Sequence, residues 1–219
     1  MELTASATER TTAATDLLLA CAALAGSYLI LRGAPPTLAR RIWSAALAAA
    51  GLASLLGAVT HGLEMSAGLR DALWQPLFLL LGVTVACFVA GAAGDGWGSR
   101  RARRVLVPML LLALVFYGLT RLAAGEFVVF VVFQAAGILA ALVIYLRLLG
   151  AGRAGAGLVA AGLALSLAAG AIQANETLRA RIFWEFDHNG LYHLAQLIGL
   201  ALLVSGLRRT LARPSAEPA

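Results

Sequence analysis

The three histidines of this 219-residue chain are the residues whose chemistry is most specific. His188 and His193 open the last long apolar segment, and His61 lies at the end of the second one. Neutral imidazole is the commonest protein ligand of zinc, and a catalytic zinc site takes three protein ligands and keeps one position for water. The metal lowers the pKa of that water to about 7 and so makes a nucleophile. We therefore take His61, His188 and His193 as candidate zinc ligands, expecting the fold to bring both segments together.

Polar residues near the histidines have the chemistry to complete such a site. Asp71 lies ahead of the third apolar segment, and Asp187 comes directly before His188. Either carboxylate can serve as a metal ligand, as a base or as the group that orients an imidazole. Asn189 lies four residues before His193, on the same face of a helix. The candidate catalytic residues are therefore Asp71, Asp187 and Asn189.

Each of these residues also has a purely structural interpretation. A histidine at a membrane interface can simply bond to headgroups or loops, and Asp187 suits the N-cap of a helix. Glutamines and asparagines in apolar segments are more often hydrogen-bonding groups between helices than ligand contacts. The joint placement of three imidazoles favours function, because polar residues at membrane depth tend to be functional.

The composition indicates a membrane protein. The chain is 61% hydrophobic and only 13% charged, and its apolar residues form long runs. Runs of about 18 or more apolar residues are typical of membrane spans. All 17 basic residues are arginines, which cluster at the ends of these runs, so the formal charge of +6 does not indicate a nucleic-acid partner. Without a lysine the chain cannot form a retinal Schiff base, and it contains no nucleotide-binding or haem motif.

The apolar runs predict seven spans. These lie at about 14–31, 42–63, 74–94, 105–122, 127–149, 157–175 and 188–207. Lipid offers no hydrogen bonds to the backbone, so each span is expected to be helical. The expected fold is an all-α, polytopic membrane bundle of seven transmembrane helices over 14–207. A polar N-terminal tail at 1–13 and a basic C-terminal tail at 208–219 flank it.

Three connections between the predicted spans carry further signals. Prolines in 33–36 predict a turn after the first span, and 124–126 predicts a short turn after the fourth. The loop 176–187 contains the apolar run Ile182-Phe183-Trp184, which suits an anchor at the membrane interface.

Both cysteines, Cys21 and Cys87, fall inside apolar runs and are expected to be free thiols.

The distribution of arginines predicts the orientation of the bundle, because basic residues collect on the cytoplasmic side. Twelve arginines lie on the side of the C-terminus: Arg32, Arg40, Arg41, Arg100, Arg101, Arg103, Arg104, Arg147, Arg153, Arg208, Arg209 and Arg213. Five lie on the other side, together with nine of the eleven acids, among them Glu9 and Asp16. We therefore expect a cytoplasmic C-terminus, an external N-terminus and the three histidines at the outer end.

The order of these residues resembles the superfamily of alkaline ceramidases and adiponectin/progestin receptors. In its pattern, Ser-x-x-x-His lies in the second span, an aspartate near the third and His-x-x-x-His in the seventh. His61, Asp71 and His193 match that pattern, whereas Gly57 and Asn189 stand where it has the serine and the first histidine of the pair. The resemblance implies a seven-span membrane hydrolase that uses zinc and acts on lipid amides.

Three hypotheses for function follow. The first is a zinc-dependent hydrolase of a lipid amide or ester, with membrane lipid as its substrate and its site at the outer ends of spans two, three and seven. The alternative is a non-enzymatic receptor-like sensor or small-solute carrier with a metal-free polar pocket at the same place. The third is an accessory subunit whose Ala- and Gly-rich faces bind a partner helix. The lysine-free, arginine-rich composition is typical of a GC-rich bacterial genome, so we expect the bacterial cytoplasmic membrane.

Overall fold

The computed structural model of the protein describes residues 2–32, 37–122 and 127–212. The turns predicted at 33–36 and 124–126 lie outside these residues, as does the basic tail from residue 213 onward.

Within the described ranges the chain forms seven long helices, each apolar enough to cross a membrane. They are α1 (Ala7–Arg32), α2 (Leu38–Gly62), α3 (Ala67–Trp97), α4 (Ser99–Leu122), α5 (Phe127–Gly150), α6 (Ala156–Gln173) and α7 (His188–Ala212). The prediction of an all-α bundle of transmembrane helices is confirmed, and the chain is an integral membrane protein. The side of the membrane that each terminus faces stays a prediction.

The helices pack so that the first and last are neighbours. α1 packs against α2 and α7, and α6 lies between α7 and α5. α3 contacts α2, α4 and α5, whereas α4 packs mainly on α3 and touches α5 lightly. α1, α3, α5 and α7 begin at the same end of the bundle, which we call the histidine end because His61, His188 and His193 lie there.

Three helices begin at least six residues earlier than the apolar runs predict. α1 begins at Ala7, α3 at Ala67 and α4 at Ser99, each ahead of the predicted start. A helix of 26 residues is about 39 Å long at 1.5 Å per residue, which exceeds a hydrocarbon core of about 30 Å. Polar first turns can therefore extend beyond the lipid, and at α3 the Ser66 hydroxyl caps the helix by accepting from the Leu69 amide at 3.3 Å.

A small β-hairpin replaces the loop predicted before the last span. Strands β1 (Arg179–Arg181) and β2 (Glu185–Asp187) pair antiparallel, with Arg179 opposite Asp187. Three residues per strand are too few for an alternating pattern to be recognised in the sequence. The tip exposes Ile182, Phe183 and Trp184, with Phe183 85% exposed. Their role as an interfacial anchor stays a prediction.

The N-terminal segment is also attached to the histidine end. Leu3 pairs with Leu63 in an antiparallel bridge, and the Thr4 amide donates to the Gly62 carbonyl at 3.0 Å. The Thr11 hydroxyl donates to the Glu185 carbonyl at 2.7 Å. Residues expected to form a polar tail therefore connect α1 with the end of α2 and with the hairpin.

Polar contacts hold the opposite end of the bundle together. Asp95 of α3 accepts hydrogen bonds from the Trp43 indole nitrogen of α2, at 2.8 Å, and from the Tyr145 hydroxyl of α5. Arg40 of α2 donates to the carbonyls of Ile30 in α1 and Leu211 in α7, both at 2.8 Å. Trp43 and Tyr145 are fully buried, so these bonds lie inside the bundle.

Glycines allow α6 and α7 to pack backbone against backbone. A Cβ added at Gly162 would lie 2.6 Å from the Gly199 carbonyl oxygen and 3.0 Å from the Leu203 amide nitrogen. Such contacts cannot be relieved by a side chain moving aside, so the two helices would have to separate. Gly170, on the same helix, has no atom within 4 Å of an added Cβ.

We predict that Gly162→Ala lowers the free energy of unfolding by about 1–3 kcal/mol, because the added methyl group overpacks the helix contact. Gly170→Ala is the matched control and should leave it unchanged or raise it by up to about 1 kcal/mol, through better helix propensity. Denaturation in detergent micelles, followed by circular dichroism, measures both. Equal effects of the two substitutions would contradict the close contact between α6 and α7.

Candidate functional site

A cavity of about 890 Å³ lies at the histidine end of the bundle. His61, His188, His193, Asp71 and Asn189 all line it, so the structure brings the second and seventh spans together at one place. The other residues of the wall come from all seven helices and from the segment after α6: Asp16, Leu19, Ala53, Ser54, Gly57, Trp74, Gln75, Leu77, Phe78, Leu81, Thr120, Arg121, Phe130, Val131, Gln173, Ala174, Glu176 and Tyr192.

His193 is buried against α1, being 7% exposed. Its Nδ1 lies 3.2 Å from the Thr15 hydroxyl oxygen, and its Nε2 lies 3.4 Å from Oδ1 of Asp16. The Thr15 hydroxyl is 2.9 Å from the Thr12 carbonyl, to which it can donate. With its proton used there, the hydroxyl accepts from His193, so Nδ1 carries the ring proton. Nε2 is then the atom that can exchange a proton with Asp16.

Asp16 is the carboxylate at the centre of the site, and it is only 4% exposed. Its side chain also hydrogen-bonds with Ser54 of α2. It lies directly against Gly57, where an added Cβ would be 2.5 Å from Oδ2. Gly57 stands where the resemblance expects a serine, and its missing side chain leaves the space that the carboxylate of Asp16 occupies.

His61 is held by a second carboxylate of α1. Its Nδ1 lies 2.7 Å from Oε2 of Glu9, and its ring meets that of Trp74 edge-on, with centroids 5.8 Å apart. The first half of α1 thus supplies the acidic partners of both His61 and His193.

Glu9 and Asp16 are site residues that were not predicted from the sequence. Their charge indicated the outer side of the membrane but not the depth at which they lie. A signal was present for Asp16, which is followed by the apolar run Leu17-Leu18-Leu19 inside the first span. A carboxylate inside a span is by itself a functional candidate. No comparable signal marked Glu9, which precedes the apolar run.

The structure assigns Asp187 a capping position outside the cavity wall. Its Oδ1 accepts from the Gly190 amide at 2.9 Å and from the Thr12 hydroxyl at 3.0 Å. This geometry is that of the N-cap of α7, the structural alternative that the sequence left open for this residue. Asp187 therefore fixes the start of α7 and ties it to α1.

The other candidates lie at the cavity with few fixed contacts. Asn189 accepts a long hydrogen bond of 3.4 Å from the Gln173 amide. His188 is the first residue of α7, and its Nδ1 lies 3.5 Å from a guanidinium nitrogen of Arg179. Asp71 is exposed, and its backbone carbonyl accepts from Gln75 at 3.3 Å.

The imidazoles do not converge on one point. In the described ranges 2–32, 37–122 and 127–212, no three His, Cys, Asp or Glu side chains are arranged to hold a metal ion. His193 directs one ring nitrogen toward Thr15 and the other toward Asp16, and His61 directs Nδ1 toward Glu9. Zinc binding by His61, His188 and His193 stays a prediction.

Two amide oxygens in the cavity wall lack hydrogen-bond partners in the described part of the protein. Gln75 and Gln173 each have a buried amide oxygen that forms no hydrogen bond with the described part of the protein. Buried polar atoms in folded proteins are nearly always paired, with protein, water or a ligand. The wall therefore has unused hydrogen-bonding capacity close to Asn189 and Asp71.

The sequence model of a family of unknown function, DUF6962, matches residues 11–212. The chain belongs to this family. The match covers α1 from Thr11 onward and all of α2 to α7, and it includes Asp16, His61 and His193, whereas Glu9 precedes it. No curated protein matches the chain, and no solved structure does. Membership of DUF6962 thus supports the fold as one unit and leaves its activity to be inferred from the site.

We predict that Asp187→Ala lowers the free energy of unfolding by about 1–3 kcal/mol, because it removes an N-cap and leaves the Thr12 hydroxyl without its partner. Asp71→Ala should change it by less than about 0.5 kcal/mol, as is usual for an exposed side chain. Asp187→Asn keeps a capping oxygen and should recover most of the loss. Denaturation in detergent compares the three variants, and a similar loss in Asp71→Ala and Asp187→Ala would contradict the capping role.

Proposed function

We propose that this protein is a non-enzymatic, receptor-like membrane protein that binds the polar group of a lipid-like molecule at the histidine end. The observation that carries the proposal is the buried pair of Asp16 and His193 in the wall of a cavity of about 890 Å³. Ionisable side chains are costly at membrane depth and mark functional sites by default. Cavities of roughly 300–1,000 Å³ are typical of small-molecule sites.

The chemistry of the wall indicates what kind of polar group fits. Acidic residues and basic residues both line the cavity, so neither an anion nor a cation is favoured by charge alone. Gln75 and Gln173 add unpaired amide oxygens, which require hydrogen-bond donors. A neutral group that both donates and accepts hydrogen bonds, such as an amide or a hydroxyl, can pair with an unpaired amide oxygen and with either member of the Asp16–His193 pair.

Asp16 and His193 are the residues we expect to sense the occupant. With the ring proton on Nδ1, the Nε2 atom of His193 can accept a proton from the Asp16 carboxyl group, and both residues line the cavity. An occupant that bonds to either atom changes where that proton resides. Because Asp16 belongs to α1 and His193 to α7, such a change would alter the contact between these helices. If the predicted orientation is right, the occupant arrives from the outer leaflet.

A binding experiment tests the proposal with one defined probe, N-palmitoylethanolamine, which carries an amide and a hydroxyl. Native mass spectrometry of the purified protein measures the fraction of chains that hold one probe molecule. We expect Asp16→Asn to weaken binding about tenfold, since an amide cannot share a proton with His193 as the carboxyl group does. Glu185→Gln makes the same kind of change on the exposed hairpin and should bind like the wild type. Absence of binding to the wild type, or equal binding by Asp16→Asn, would overturn the proposal.

A second candidate is the zinc-dependent hydrolase of a lipid amide or ester. The observation in its favour is that His61, His188, His193 and Asp71 line the same cavity. It requires His61 and His193 to exchange their contacts with Glu9, Thr15 and Asp16 for a metal ion.

Metal analysis separates the two candidates. The protein is purified in detergent after zinc has been supplied, together with His61→Ala and His193→Ala. On the first proposal we expect no stoichiometric zinc in any of the three, because the imidazoles keep their protein partners. One zinc per chain in the wild type, lost in both variants, would favour the hydrolase and contradict a metal-free pocket.

A further inference from the structure

We infer that the molecule bound by this protein carries a single apolar chain, which lies in a second cavity deeper in the bundle. The inference rests on the proposed binding of a polar group at the histidine end and specifies the class of ligand. The second cavity measures about 120 Å³ and adjoins the first. Residues common to both walls are Leu19, Ser54, Leu81, Phe130 and Tyr192.

The two walls differ in charge. All the histidine, aspartate, glutamate and arginine side chains that line the described walls are in the first cavity. The described wall of the second cavity contains mainly aliphatic and aromatic side chains: Leu19, Ala23, Leu47, Ala50, Leu81, Val85, Phe88, Phe130, Ile138, Leu200 and Leu203. A molecule that occupies both cavities must therefore be polar at one end and apolar at the other.

The polar side chains of the second wall are already paired inside the protein. Ser54 bonds with Asp16, and the Thr84 hydroxyl donates to the Leu80 carbonyl at 2.8 Å. The remaining four form a connected set, in which Tyr192 bonds with Gln134 and Gln196, and Ser166 donates to Gln196 at 2.8 Å. Each of these side chains therefore has at least one partner inside the protein, whereas the amide oxygens of Gln75 and Gln173 in the first wall have none in its described part.

Positions along α7 show how far the two cavities extend into the bundle. His193 lines the first cavity, whereas Gln196, Leu200 and Leu203 line the second. At 1.5 Å per residue, Leu203 lies about 15 Å further along the helix than His193. The two cavities together thus extend from the histidine end toward the middle of the bundle, along the direction that a lipid chain takes in the membrane.

The second cavity is much smaller than the first, at about 120 Å³ against about 890 Å³. It has room for the end of one apolar chain, the rest of which lies in the first cavity. A second chain, as in a diacyl lipid, would find no space beside it. The expected class is therefore a single-chain amphipath whose head is an amide or an alcohol.

The test uses N-acylethanolamines with a butanoyl or a hexadecanoyl chain and a matched pair of substitutions on α2. Ala50→Leu places a larger side chain in the second cavity, whereas Ala45→Leu places it on the exposed face of the same helix. Native mass spectrometry compares each variant with the wild type for the same probe, so that partition of the probe into detergent cancels.

We expect Ala50→Leu to weaken binding of the hexadecanoyl probe about tenfold, the size of loss typical of an overpacked site. Its binding of the butanoyl probe should match that of the wild type, which also shows that the variant is folded. Ala45→Leu should bind both probes like the wild type. Leu200→Ala, which enlarges the second cavity, should not weaken binding of the hexadecanoyl probe.

Two failures can be told apart. If neither probe binds to the wild type, the proposed function itself is wrong. If the hexadecanoyl probe binds and Ala50→Leu leaves its affinity unchanged, or weakens both probes equally, the polar site stands and the apolar chain does not lie in the second cavity.

Discussion

Asp16 places a carboxylate within a membrane-spanning helix. Such a group is costly at that depth unless other groups of the protein pair with it. Its partners come from two other helices, Ser54 from α2 and His193 from α7. The first, second and last helices are therefore tied together near one end of the bundle. The placement of α7 beside α1, which closes the arrangement of helices, depends on this contact and on the bond between Thr12 and Asp187.

The other end of the bundle follows the same rule with different residues. Asp95 is satisfied by Trp43 and Tyr145, and Arg40 by backbone carbonyls of α1 and α7. Between the two ends, α6 and α7 pack backbone against backbone at Gly162 and Gly199 and are joined by the hydrogen bond from Ser166 to Gln196. Close packing of α6 on α7 contrasts with the light contact between α4 and α5, whose residues form part of the cavity wall. The helices pack tightly on the side of α6 and α7 and loosely on the side of α4 and α5, and this difference leaves room for the cavities.

Much of the fold could be predicted from the sequence because lipid permits few alternatives to a helix. The ends of the helices could not, since capping by Ser66 and pairing of Leu3 with Leu63 depend on contacts and not on hydropathy. That His61 and His193 lie at the same end of the bundle could be predicted by counting spans. Their carboxylate partners could not, because the charge of Asp16 indicates only a side of the membrane and Glu9 precedes the apolar run. Asp187 shows the opposite case, in which a residue chosen for its chemistry has a capping role.

Gly57 and Asp16 have a consequence for how sequences of this family can change. The carboxylate occupies the volume that any side chain at position 57 would need. A substitution at Gly57 is harmful while Asp16 is present and becomes tolerable only after position 16 has become smaller. The two positions are therefore epistatic, and the order in which mutations arise determines which sequences evolution can reach from this one.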